Sequence, residues 1–423
     1  MSSSHITQLA SRIAANTTLV SEYLEAKHLP FPSFDLDGPL DTLIPKEEIT
    51  VEAARVAIID DTEELRRLVL GPREHLMSFA HHALLSQQAI VRFKLAHSFP
   101  VGGEASFAEL ASASGLTETT TRQLVRYAIT DGIFTEPKRG MVAHNAVSRL
   151  LVEDTVILDW VGTAADGGWQ AASRICDALE QFPGSEEPNE TGYALAHNTD
   201  KPIYEFLSTH PDKARRFANT MRAFTTGTGY ELSHITDNFP WGGLGNGVVV
   251  DVGGSAGHAS IAIARKFPSV SCVVQDFAPV VESFSNTVPA ELSDRVKLEV
   301  HDFMTEQPVK NADVYFFRWI FHNWSDKYSI KILRNLIPAL KTGAKIVVND
   351  NVLPEPGMLS RWQERHLRSM DLTQMMIQNA HERELDDWKN LFEKADARFQ
   401  FQWAKQPQGS TLWFLVFEWT GND

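Results

Sequence analysis

The chain has 423 residues, 43% of them hydrophobic, and a formal net charge of −15; that length exceeds what one hydrophobic core usually serves, so two domains are expected, or one domain with a large extension. The negative balance argues against nucleic acid or an anionic membrane as a partner, because both demand a positive surface. Cys176 and Cys272 are the two cysteines, too few for a disulfide framework or a cysteine-based metal cluster. No run of eighteen apolar residues occurs, and Met1-Ser-Ser-Ser-His5 lacks the basic start and apolar stretch of a secretion signal. A cytoplasmic location without membrane spans is the expectation.

Apolar positions at helical spacing predict a first helix over about Ile6 to Glu25. The stretch Pro30-Phe-Pro-Ser-Phe-Asp-Leu-Asp-Gly-Pro39 has too many prolines for regular structure and reads as an extended strap. Helical patterning resumes from Val51 to Leu70, Gly71-Pro72 should end that helix, and His75 to His97 should form another, rich in Ala and Leu. Ser106 to Ala128 reads as helix, glycine turn at Gly115 and second helix capped by Thr117, with Gly132 to His144 as a hairpin wing behind it. Glu118 stands beside Arg122 and Arg126 on the second helix, and the chain is acidic, so this winged-helix-like unit is expected to dimerise and cover substrate rather than bind DNA. His144 is read as structural. Trp160 to Met221 should be mostly helical, with a looser connection from Gly184 to Asn198 and a domain boundary near Pro240-Trp-Gly-Gly-Leu-Gly-Asn246.

The most constrained stretch is Gly247-Val-Val-Val-Asp-Val-Gly-Gly-Ser-Ala-Gly-His258. Val248, Val249, Val250 and Val252 suit a strand buried on both faces, and Gly253, Gly254 and Gly257 let the backbone turn sharply and approach a ligand. The helix expected over Ala259 to Phe267 then aims its free N–H groups at whatever lies over the turn. About twenty residues on, Ser271-Cys-Val-Val-Gln-Asp276 is a second buried strand ending in an acid, the spacing at which a carboxylate accepts ribose hydroxyls. These signals fit a nicotinamide cofactor as well as S-adenosylmethionine (SAM). Further strands are expected at Val296–Val300, Asp313–Arg318 and Ala344–Asp350, with a helix from Ser325 to Leu340. A closing hairpin is expected over Arg398–Trp403 and Thr411–Trp419. The alternation predicts an α/β class, a doubly wound, Rossmann-like parallel sheet ending in an antiparallel hairpin.

His301-Asp302-Phe303 follows a strand at its C-terminal end, where open α/β sheets bind ligands, and Tyr315-Phe-Phe-Arg-Trp-Ile-Phe-His-Asn-Trp-Ser-Asp326 places His322 just past the next strand. With Val249 to Asp276 and Leu333-Arg-Asn335, this run closely resembles the SAM-dependent, metal-independent class I O-methyltransferases of the caffeate and fungal secondary-metabolite type. The resemblance covers roughly residues 75 to 420. It implies that Asp251, Gly253 and Gly254 cradle SAM, that Asp276 holds its ribose, that Asp302 and Phe303 contact adenine, and that Arg318 replaces a usual Lys there. His322 matches the general base, Asp350 takes the place of a family Glu one methylene longer, and Glu382 in His381-Glu-Arg-Glu384 matches the second acid. No metal is implied. Ser255 stands where a third consecutive glycine is common.

A base is needed because a phenol, with a pKa of about 10, is a weak nucleophile at neutral pH. Met370, Met375 and Met376 lie near helical spacing in Arg361 to Gln378; they suit a core face, and also a flat aromatic acceptor, as do Met221 and Thr225. The expected organisation is a helical extension over 1–70, a dimerisation and substrate-covering domain over 71–240 and a SAM-binding domain over 241–423. The expected activity is methyl transfer to a hydroxyl, phenolic by expectation, of a small aromatic or polyketide-like metabolite, by an obligate homodimer. A SAM-bound pericyclase or dehydratase that transfers no methyl is the alternative.

Overall fold

The computed structural model describes residues 4–78, 81–225, 229–284 and 286–421, with the side chains of 224 and 225 excepted. Contacts group them into two units: residues 1–174, 204–226 and 359–365, and residues 175–203, 227–358 and 366–423.

The first unit is mostly helical. Its opening helix, His5–Ala26, starts where the Ser4 hydroxyl caps the Thr7 N–H, and Arg12 clamps it to Asp61 of the helix Ile49–Leu76 with bonds of 2.6 and 2.9 Å. Between them the proline-rich strap is irregular, as expected, and is tied down through its backbone. The carbonyls of Phe34 and Gly38 accept from the Ala146 N–H and from Arg149 Nη2, each at 3.1 Å. Gly71-Pro72 kinks the second helix rather than ending it: Gly71 leaves helical geometry at φ 69°, ψ 168°, yet coiling continues to Leu76. The helix expected over His75 to His97 crosses residues 79 and 80, which lie outside the described residues. Beyond them the helix is His81–Arg92, after which Lys94 at φ 51° breaks the coil before a short 3₁₀ turn, Leu95–His97.

Next come the helix Phe107–Ser114, opened by a reciprocal Ser106–Glu109 capping box and closed by Gly115 at φ 74°, and the Thr117-capped helix Glu118–Thr130. Three short antiparallel strands, β1 (Glu104–Ser106), β2 (Thr135–Lys138) and β3 (Met141–Ala143), pair in the order β1-β3-β2. His144 is buried against Phe99 with ring centroids 4.1 Å apart, and its two nitrogens meet the Ser148 hydroxyl and the Phe99 carbonyl. Burial lowers its pKa.

The second unit is built on a seven-stranded sheet. In chain order the strands are β4 (Val248–Val252), β5 (Ser271–Asp276), β6 (Val296–Val300), β7 (Val314–Arg318), β8 (Lys345–Asp350), β9 (Phe399–Lys405) and β10 (Trp413–Trp419). Their order is β6-β5-β4-β7-β8-β10-β9. The first five run parallel, and β10 and β9 close the edge antiparallel. The period of two along each strand sorts side chains to opposite faces. Val250, Val252, Tyr315, Phe317, Ile346 and Val348 face the helices Asp326–Leu336 and Leu385–Ala395, whereas Val249, Phe316 and Val347 face Trp241 and the helix His258–Lys266. A parallel sheet must be covered on both faces, which is why its central strands carry almost unbroken apolar runs.

Among the described residues, no helix is long and apolar enough to cross a membrane. Phe392 stacks face to face on Phe417, centroids 3.6 Å apart, with both rings buried. Phe392→Ala should therefore lower unfolding free energy by about 3–5 kcal/mol, measured by denaturant titration followed by far-ultraviolet circular dichroism.

Candidate active site

Strands β4, β5 and β7 end side by side, and the loops beyond them carry the residues singled out from the sequence. After β4 the N–H groups of Gly253 and Gly254 both donate to the Gln275 carbonyl, at 2.8 and 3.1 Å, which draws the loop over β5. Gly253 sits at φ 71°. A Cβ on Gly254 would lie 2.6 Å from the Asp251 carboxylate carbon and 2.8 Å from Val274. Glycine is thus required for conformation at the first position and for space at the second. Asp251 is buried and accepts from the Ser260 hydroxyl at 2.7 Å; burial pushes its pKa up to about 6. Ser255 also adopts φ 51°, and its N–H donates to Asp276 Oδ2 at 2.9 Å.

Asp276, half-buried, accepts a second backbone bond from Phe277 at 2.8 Å through Oδ1. Each carboxylate oxygen keeps capacity for a further donor. The helix His258–Lys266 starts at Gly257 with no side-chain cap, and in its first turn the Ser260 N–H also turns to Asp251. Asp302 accepts from the Met304 N–H at 2.9 Å, and Phe303 lies 5.9 Å from Trp324, edge to face, and 6.3 Å from Phe277. Arg318 donates to the Tyr230 carbonyl at 3.2 Å. The carboxylates of Asp276 and Asp302, a loop drawn tight and a group of aromatic rings collect at this end of the sheet, a set of acceptors and ring faces that fits a nucleoside.

His322 lies on the 3₁₀ turn Phe321–Asn323 that follows β7. Its ring nitrogen Nδ1 is 3.1 Å from Glu382 Oε1, and both side chains are buried. Asp350, at the end of β8, accepts from the His322 backbone N–H at 3.4 Å rather than from the ring. Burial alone would depress the imidazole pKa, but the charge of Asp350 and the bond and charge of Glu382 outweigh it, and His322 sits above the ordinary imidazole value. Burial raises Asp350. His322, Asp350 and Glu382 offer ligand atoms within 4.8 Å of one another, a spacing a divalent cation could also use.

Several participants were not picked out from the sequence. Asn351, one residue past Asp350, donates through Nδ2 to Glu382 Oε1 at 3.3 Å. Gln374 places Nε2 3.3 Å from His322 Nδ1, and Gln378 Nε2 donates to Gln374 Oε1 at 3.1 Å and to Asn323 at 2.9 Å. Their four-residue spacing on the helix Arg361–Gln378 was a readable signal. Trp319 lies 6.1 Å from the His322 ring in a stacked orientation, with its backbone at φ 54°. The acceptor candidates divide. Met370 and Met375 are half-buried on the helix Arg361–Gln378, with Met370 Sδ 3.8 Å from Gln374 Nε2. Met221, 38% exposed, belongs to the other unit on the helix Pro211–Thr225, and the side chain of Thr225 lies outside the described residues.

Comparison with known proteins matches residues 184–398 to the O-methyltransferase domain family. The grayanic acid biosynthesis cluster O-methyltransferase of Cladonia grayi is 41% identical over 419 residues, spanning 98% of this chain and 88% of that protein. Among solved structures, OxaC superposes with a TM-score of 0.77 at 21% identity, covering 98% of this chain and 99% of that one. A protein described as a pericyclic reaction enzyme superposes with a TM-score of 0.70 at 23% identity, covering 97% and 100%; at these identities both matches define the fold alone. Family model and full-length relative agree that the chain belongs to the O-methyltransferase family.

Proposed function

We propose that this enzyme moves a methyl group from S-adenosylmethionine to a phenolic hydroxyl of a small aromatic or polyketide-like metabolite, with His322 as general base. The cofactor supplies a methyl already activated on a sulfonium. Asp251, Gly253 and Gly254 would form its cradle, Asp276 would accept the ribose hydroxyls, and Asp302, Phe303 and Arg318 would flank adenine. All seven residues belong to the second unit, consistent with residues 241–423 acting as the SAM-binding domain.

The observation that carries the reading is the buried bond between His322 Nδ1 and Glu382 Oε1. When Nδ1–H donates to Glu382, Nε2 holds the lone pair and can take the acceptor's proton. Glu382 and Asp350 then stabilise the imidazolium, and the oxygen becomes a nucleophile at neutral pH. Methyl transfer itself depends on alignment of donor and acceptor, to which Met370 and Met375 would contribute as acceptor contacts. This polar, fully assembled dyad has a direct use in deprotonation, and it favours methyl transfer over the pericyclase or dehydratase alternative.

The same geometry tests the metal-independent reading. His322→Ala should still bind SAM but lose turnover by about 10²–10⁴-fold, read by release of S-adenosylhomocysteine, while wild type in excess EDTA should turn over at its full rate. Activity that falls in EDTA and returns with a divalent cation would make the cluster a metal centre instead, and an unimpaired His322→Ala would remove His322 as the base.

We also infer a homodimer assembled through the first unit, its winged-helix-like part included. Ile49 at the start of the helix Ile49–Leu76, Val69 and Leu76 near its end and Met77 just beyond it are exposed apolar side chains, surface of the kind that marks partner contacts. Arg122 and Arg126, the cations that a DNA-binding reading would need, are engaged by Glu118 and Glu136. Sedimentation equilibrium at micromolar concentration should give twice the chain mass, and a stable, active monomer would contradict it.

A further inference from the structure

Arg383 follows Glu382 in the chain and is wholly buried. A buried guanidinium is costly unless its donors are met, and here they converge on one short segment. Nη1 donates to the Phe321 carbonyl at 3.0 Å, and Nη2 donates to the Trp324 carbonyl at 2.9 Å. Nε and Nη2 both reach Asp326 Oδ1, at 3.1 and 2.9 Å, and Nη2 also meets the Ser329 hydroxyl at 3.3 Å. The plane of the group packs over Trp388, 5.4 Å from the ring centre.

The two carbonyls it grips bracket His322 in sequence. The other end of the lever is equally fixed: the Glu382 N–H donates to Asp371 at 2.9 Å, and the Arg383 carbonyl accepts from the Leu353 N–H at 2.9 Å. A closed ring of contacts results. It runs from the His322 imidazole to Glu382, through one peptide bond to Arg383, and through the guanidinium fork back to the turn that bears His322. Turns of this kind are otherwise loosely held, since 3₁₀ bonds are poorer than α-helical ones.

We propose that Arg383 is a positioning residue for the methyl-transfer reaction, setting the His322–Glu382 separation by clamping the 321–324 turn to the residue beside Glu382. It rests on the reading of His322 as base. Arg383 touches no reacting atom; it acts through the two residues it joins. The planar fork is what the geometry uses, so a lysine, which keeps the charge but presents a single ammonium, does not replace it.

The test is steady-state kinetics with SAM and a phenolic acceptor, using Arg383→Lys and Asp326→Asn, with His322→Ala as reference. Asp326 is one-third exposed, so its amide should fold where a change at the wholly buried Arg383 could fail. In Arg383→Lys, kcat should fall roughly 10- to 100-fold, the scale of an approximately 1 Å misplacement, with KM for both substrates and SAM stoichiometry unchanged. Asp326→Asn should show a smaller drop of the same pattern.

The second readout is the acid limb of the kcat profile. Around His322 stand Asp350 from β8, Glu382 and Arg383 from the segment before the helix Leu385–Ala395, and the neutral Gln374 from the helix Arg361–Gln378. Loosening the Glu382 bond removes part of what holds the proton on the imidazole, so the limb should move to lower pH. A residue that merely supported the fold would lower the active fraction and leave that midpoint in place.

Folded Arg383→Lys with wild-type kcat and midpoint would overturn the proposal. If Arg383→Lys does not fold, wild-type kcat and midpoint in Asp326→Asn would overturn it. Retained turnover in His322→Ala would instead remove the base on which it rests, a failure visible without either variant.

Discussion

A parallel sheet whose central strands β4, β7 and β8 are buried on both faces is the constraint from which the rest follows. With backbone bonds satisfied inside the sheet and apolar side chains above and below, polar chemistry is excluded from the strands and collects at their C-terminal ends. β4 and β7 are neighbours, so the glycine loop after one and the histidine turn after the other open onto the same end of the sheet. The helices Asp326–Leu336 and Leu385–Ala395 cover one face and fix where the His322 turn and the Glu382–Arg383 segment end.

At that end the balance is between burial and charge. Desolvation pushes Asp350 towards its neutral form and would do the same to His322. The carboxylates reverse the outcome at the histidine: a charged imidazole between two acids costs less there than the acids would without it. The hydrogen bond to Glu382 adds direction, selecting which ring nitrogen carries the proton. Asn351 supplies Glu382 with a neutral donor, so that carboxylate is ordered without further charge.

What the sequence made legible followed from local rules. β4, β5, β6 and the helix His258–Lys266 end at or within one residue of their expected bounds, because apolar runs, alternation and helical spacing are properties of adjacent residues. The Gly71-Pro72 boundary was half legible. Glycine and proline do interrupt the coil there, but nothing local says that it resumes for one more turn. The candidate site was legible where a motif carried it, as at Gly254 and His322. Asp350 is different: its one missing methylene was visible, whereas its contact with the His322 backbone in place of the ring was not. Arg383 stood unremarked because its contacts bridge more than fifty residues, and no local pattern reports such a pairing; of Gln374 only the spacing to Gln378 was local.

The most direct test of His322 as the base is the pH dependence of kcat at saturating SAM and acceptor. The histidine must be neutral to accept a proton, and its two acids hold the proton more tightly than water does. The rate should therefore fall tenfold per pH unit on the acid side, with a midpoint above the ordinary imidazole value of about 6.5, and Glu382→Gln should move that midpoint down. A rate that stays flat through this range, or a midpoint indifferent to Glu382, would contradict a carboxylate-held histidine as the group that activates the hydroxyl.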